Sequence, residues 1–137
     1  MKSWIVALAV AVMIPVGAVA VGAFDDEADT ETIMKTLFAK KSGKFNTALK
    51  TQVAASPTDW DAIQKTTEEI AKNGKLLVKA EPQKGDKESW KKLATKFGDS
   101  TKALDDAADA KDLDKVKAAQ KAIGGSCKSC HDAHRGQ

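Results

Sequence analysis

Tyrosine is absent from the 137-residue chain, only three prolines occur, and the single arginine is Arg135. With aromatics at 5% and Ala the commonest residue beside many Lys, Asp and Glu, the composition points to an all-helical chain and away from a β-sandwich or barrel. No arginine-rich arm is present, and 22 basic and 19 acidic residues are spread along the whole sequence for a net charge of +3. That balance gives nucleic-acid binding little support. The length suits one domain. Cysteine and histidine are scarce, with two of each; two Cys can pair, bind metal or react covalently, and only their spacing can choose.

What is plentiful comes first in an N-terminal apolar run. Lys2 precedes an uncharged stretch from Ser3 to Ala23, and the first acid is Asp25. Small residues at Ala18-Val19-Ala20 and Val21-Gly22-Ala23 suit a signal peptidase, so residues 1–23 read as a secretory signal cleaved after Ala20 or Ala23. The stretch is also long enough to serve as an uncleaved membrane anchor, but Pro15 and Gly17 favour cleavage. Either way the remaining domain, residues 24–137, is expected to be exported. Of those 114 residues only 18 are Leu, Ile, Val or Phe, thin for a globular core, yet they are strictly periodic. A large apolar cofactor would supply the volume that the side chains lack.

Periodicity predicts four helices. The first has Asp29 or Thr30 as N-cap and apolar positions at Ile33, Met34, Leu37, Phe38, Phe45, Ala48, Leu49 and Val53, with a kink or break where Lys40 to Lys44 carries no apolar residue and Gly43 costs about 1 kcal/mol in a helix. Ser56-Pro57-Thr58-Asp59 predicts the start of the second, with Ser56 as N-cap and Pro57 as first residue, followed by Trp60, Ile63, Thr67, Ile70, Gly74 and Leu77. After a loop over 81–86, the third carries Trp90, Leu93, Phe97, Thr101, Leu104 and Ala108. Asp112 or a neighbour caps the fourth, with Leu113, Val116, Ala119, Ile123, Cys127, Cys130 and His134 on one stripe. Four such helices with short connections make an antiparallel up-down-up-down four-helix bundle.

Cys127-Lys128-Ser129-Cys130-His131 is C-x-x-C-H, the attachment sequence for c-type haem. Thiols at i and i+3 project from one helical face and can add to the two vinyl groups of one porphyrin, while the adjacent imidazole reaches the iron. A thioredoxin-type motif would need a βαβ context. Structural zinc would need four ligands around one ion, and Cys127, Cys130, His131 and His134 share one helical stretch. A disulfide across three residues closes too small a loop to stabilise much. Covalent haem c with its iron is the expected cofactor, in keeping with export, because c-type haem is attached outside the cytoplasm.

A motif of this kind on the last helix, near the C-terminus, resembles the class II cytochromes c, the cytochrome c′ and cytochrome c556 family. Residues 110–119 and Gly124 to Arg135 look like the family's last helix, and helix count and apolar pattern extend the likeness over 30–107. The resemblance implies thioether bonds from Cys127 and Cys130 and proximal ligation by His131. Arg135 matches a basic residue that the family keeps near the haem, and equally suits a cation interacting with the helix C-terminus. His134 stands where the family often has Tyr, which leaves its role open.

In this family the first helix covers the distal haem face. A Met near its start gives six-coordinate iron, and an aliphatic or aromatic residue leaves the iron open to small gases. Met34 is the only methionine after residue 23, and its place resembles the c556 pattern, so it is the expected distal metal ligand; if it is mere core packing, Leu37 or Phe38 is the distal neighbour. The leading reading is a periplasmic monohaem electron carrier serving redox partner proteins, with no substrate turned over. The alternative is a five-coordinate protein binding NO or CO. No distal His-Arg pair suggests a peroxidase. Family members are often homodimers through their first two helices.

Overall fold

The computed structural model describes residues 29–136, so the leader expected over residues 1–23 lies outside the described residues. The described chain is all-helical. α1 spans Thr30–Phe38; a π-helical turn, Lys44–Leu49, runs directly into the short α2, Lys50–Ala54; α3, α4 and α5 span Trp60–Lys79, Lys87–Asp109 and Leu113–His134. Each of the four α-helices that begins after a loop is capped by an aspartate. Asp29, Asp59, Asp86 and Asp112 accept from the backbone N–H groups of Thr32, Ala62, Ser89 and Lys115, satisfying donors that have no partner inside the helix.

The expected N-cap of the second long helix is therefore corrected. Ser56-Pro57 stays outside, and the helix begins at Trp60 because the Asp59 carboxylate reaches the Ala62 amide at 3.0 Å. The first helix of the bundle is broken where its apolar pattern lapses, and Gly43 is what the break requires: a Cβ there would lie 2.6 Å from the Ala39 N and O atoms and 2.7 Å from the Leu37 carbonyl oxygen. The loosened carbonyls are recaptured, as Gly43 N donates to Ala39 O (2.8 Å), Asn46 Nδ2 to Phe38 O (2.9 Å) and Thr47 Oγ1 to Lys40 O (3.1 Å). The π turn then brings both Phe45 and Leu49 into the core.

α3 and α4 form the tightest pair, joined by a loop short enough to make them antiparallel, and α5 packs on α4. Together with the divided first helix they form a four-helix bundle. Ile63, Ile70, Leu77, Leu104, Val116 and Ile123 are fully buried along its axis, and Ile33 and Leu37 close it from α1. Thr67 Oγ1 donates to Asp105 Oδ1 at 2.8 Å and Gln64 Nε2 to the Ala108 carbonyl at 3.2 Å, crossing from α3 to α4. α1 is fastened over the α3–α4 loop by Thr30 Oγ1, which donates to Glu81 O at 2.8 Å. Among the described residues no helix is long and apolar enough to cross a membrane.

Candidate haem-attachment site

The last turns of α5 carry the C-x-x-C-H sequence, and the 3.6-residue period puts Cys127 and Cys130 on one side of the helix. Both are half-buried and neither forms a disulfide. Cys127 Sγ points its weak donor at the Ile123 carbonyl, 3.6 Å away. Burial, and secondarily the neighbouring Cys127, pushes the Cys130 thiol above its ordinary value, so it is held as the neutral thiol. His131 is exposed. Among the described residues no group of three or more His, Cys, Asp or Glu is arranged to hold a metal ion.

Two cavities, of about 520 and about 700 Å³, open beside this motif. Both fall in the size range of small-molecule and cofactor sites. Met34, Phe38, Cys130 and His131 line both of them, so the two cavities adjoin at these four residues. Cys127 lines the larger cavity and Arg135 the smaller. All five residues expected at the site are therefore brought together, although Met34 lies 93 positions or more from the other four.

Of the three candidate distal residues, Leu37 drops out. It is fully buried in the core and lines neither cavity, whereas Met34 and Phe38 line both. The Phe38 ring is braced by Phe45 at 5.4 Å and Phe97 at 6.2 Å between centroids, a tilted and edge-on cluster of the kind aromatic pairs prefer. Phe45 and Phe97 line the larger cavity, and sequence reading assigned them only to the core. Arg135 is the C-cap of α5, where its N–H donates to the His131 carbonyl at 3.1 Å, and its side chain faces the smaller cavity.

His134, whose role the sequence left open, also lines the smaller cavity but is 3% exposed, with both ring nitrogens engaged by protein atoms: Nδ1 is 3.0 Å from the Lys84 carbonyl oxygen and Nε2 is 3.1 Å from Ser89 Oγ. No ring nitrogen remains for a metal, so it is an anchor.

Whether the space suits a porphyrin can be tested on α5 itself. Gly124 and Gly125 line the larger cavity, and a Cβ added to either would meet nothing within 4 Å. Each glycine costs about 1 kcal/mol in a helix interior relative to Ala, and no protein contact here calls for one. Two bare backbone positions next to the attachment cysteines form a cradle that side chains would fill, which fits a flat group lying close against the helix. The paired glycines were the sequence signal for this seat.

The comparisons with known proteins agree with this geometry. Residues 80–135 match the family model described as Cytochrome C'. A curated protein named cytochrome c′ from Alcaligenes xylosoxydans xylosoxydans is 50% identical over 50 residues, which make up 36% of this chain and 39% of that protein. The matched stretch thus spans well under half of the relative's length. No solved structure matches the chain. The two matches support the cytochrome c′ family, as the C-terminal motif suggested, and proteins of that family carry a covalently attached haem c with iron.

Proposed function

We propose that this chain is an exported monohaem c-type protein of the cytochrome c′ kind, with Cys127 and Cys130 as thioether donors and His131 as proximal ligand. The observation that carries the proposal is the convergence of those three residues on the apolar space between α1 and α5. Haem held there would supply a redox-active iron, either open to small molecules or closed by a protein ligand. Arg135 and Lys40, at the rim of the smaller cavity, offer positive charge to carboxylates at its mouth. The Phe38 ring, braced by Phe45 and Phe97, gives both cavities an apolar wall with no hydrogen-bond donor. That wall, together with the name of the relative, favours a five-coordinate protein binding NO or CO in the periplasm. The proposal includes no catalysed turnover, and a homodimer is the expected assembly.

One observation favours a second reading. Met34 borders both cavities beside His131, and a thioether ligand there would close the iron and make the protein an electron carrier for redox partner proteins. Spectra and CO binding of the intact holoprotein decide between them. High-spin ferric spectra and rapid CO binding support the gas-binding reading, and Met34→Ala then changes little. A low-spin spectrum with the weak sulfur-to-iron band, lost in Met34→Ala together with a gain of CO binding, supports the carrier. Haem released by acid-acetone extraction would overturn the thioether assignment under either reading.

A further inference from the structure

The C-terminal end of α5 is bolted down. His134 is almost fully buried while its neighbours Ala133 and Arg135 are exposed. A carbonyl oxygen only accepts, so the Nδ1 that faces Lys84 O carries a proton, and in the neutral ring Nε2 accepts from the Ser89 hydroxyl. The ring stands edge-on to Trp90, with centroids 5.4 Å apart at 77°, and Trp90 Nε1 in turn donates to the Ala80 carbonyl at 2.7 Å. Gly85, at φ +88°, passes so near that a Cβ there would lie 2.8 Å from His134 Nδ1 and 2.6 Å from Ala133 O. Only glycine combines that backbone with that approach. One residue past the helix cap, Gly136 N donates to Gln83 Oε1 at 2.8 Å.

Helix ends fray because their last carbonyls lack partners. Here the last turn also contains His131, three positions before His134, and the His131 carbonyl accepts from Arg135 N–H in the closing bond of the helix. Because His131 is exposed, its ring takes its orientation chiefly from the backbone of that turn. A ligating imidazole works only when its orientation is fixed by surrounding structure.

We propose that His134 is a positioning residue for His131: by pinning the last turn of α5 to Lys84 in the α3–α4 loop and to Ser89 and Trp90 in the first turn of α4, it fixes the orientation in which the His131 imidazole is presented. This rests on the reading of His131 as iron ligand. That reading is tested separately, by whether the parent holoprotein shows an axial imidazole in its magnetic-resonance spectra.

The experiment compares His134→Ala, His134→Asn and Ser89→Ala as holoproteins, measuring reduction potential, ferric spectrum and amide hydrogen exchange. His134→Ala should shift the potential and the ferric spectrum and speed exchange of the Arg135 amide by roughly tenfold, leaving α3 amides unchanged. His134→Asn, which keeps a donor within reach of Lys84 O, should recover part of each change. Ser89→Ala should move all three in the same direction by less. If His134→Ala lowers the melting temperature yet leaves potential and spectrum at parent values, His134 is structural only and the proposal falls. Should that variant fail to mature, Ser89→Ala decides, and an unchanged potential with unchanged Arg135 exchange overturns the proposal.

Discussion

A Cβ added to Gly74, where α3 crosses α4, would fall on the Thr101 hydroxyl, whereas one added to Gly124 or Gly125 on α5 would meet nothing within 4 Å. The first glycine is explained by the protein's own packing: two helices approach until only hydrogen fits between backbone and side chain, and Thr101 is fully buried there. The second pair has no such explanation inside the polypeptide. One end of the bundle is finished by amino-acid side chains alone, with core residues on α3, α4 and the first half of α5. At the other, α1 is nine residues long, the chain after it is broken, and the space beside α5 is bounded by Met34, Phe38 and the attachment motif. The unfilled volume therefore lies beside the attachment motif, where the cofactor is expected.

Removing the cofactor should produce the largest separation between the two regions. In a Cys127→Ala/Cys130→Ala variant without haem, amides of α1 and the last turns of α5 should lose protection from hydrogen exchange by on the order of 100-fold, while α3 and α4 stay protected. Uniform, cooperative protection across all helices would show that the side-chain core suffices throughout. Next in size, Gly74→Ala should cost about 1–3 kcal/mol in urea melts, since neither helix can yield without disturbing the other. A cost indistinguishable from zero would mean that the crossing is looser than Thr101 implies.

Gly124→Ala should do the opposite, and only in one state. Without haem it should stabilise by about 0.5–1 kcal/mol through helix propensity alone; with haem the gain should vanish and the haem spectrum shift. The same gain in both states would put the porphyrin elsewhere. The smallest effect concerns the one poorly accommodated charge on the α3–α4 side. Burial pushes the Asp105 carboxyl above its ordinary value, against the lowering effect of the Thr67 hydrogen bond, with Asp109, Glu68 and Asp106 adding repulsion. The native state then binds this proton more readily than the unfolded chain, so stability lost at neutral pH returns as pH falls through the raised value. Asp105→Asn, whose amide oxygen can still accept from Thr67, should raise the melting temperature slightly at pH 7 and give no advantage in acid.

Much of this division was visible in the residues. Asp112 before α5, the loop over 81–86 and the apolar stripes of α3 and α4 all follow from spacing and caps, because a helix start needs a local acceptor and a buried face needs the 3.6-residue period. The second long helix misled because Ser56-Pro57 and Asp59 both satisfy local start rules, and the chain used the later. The break around Gly43 follows from the lapse in the apolar pattern and the low helix propensity of glycine; the further requirement, clearance from the backbone of Ala39 and Leu37, comes from the tight turn that the chain makes there.

The candidate site's donor set is legible in the residues alone, since two thiols three apart and an adjacent imidazole are a local arrangement on one helix and depend on nothing distant. So are the helical class and most helix starts, which short-range hydrogen bonds and periodicity set. Which of Met34, Leu37 and Phe38 border the cavities depends on packing, because a stripe says that a residue faces inward but not whether it meets another side chain or open space. The same holds for His134, whose partners Lys84 and Ser89 lie 50 and 45 positions away. Contacts at that separation are set by how α3, α4 and α5 pack, and no local pattern encodes them.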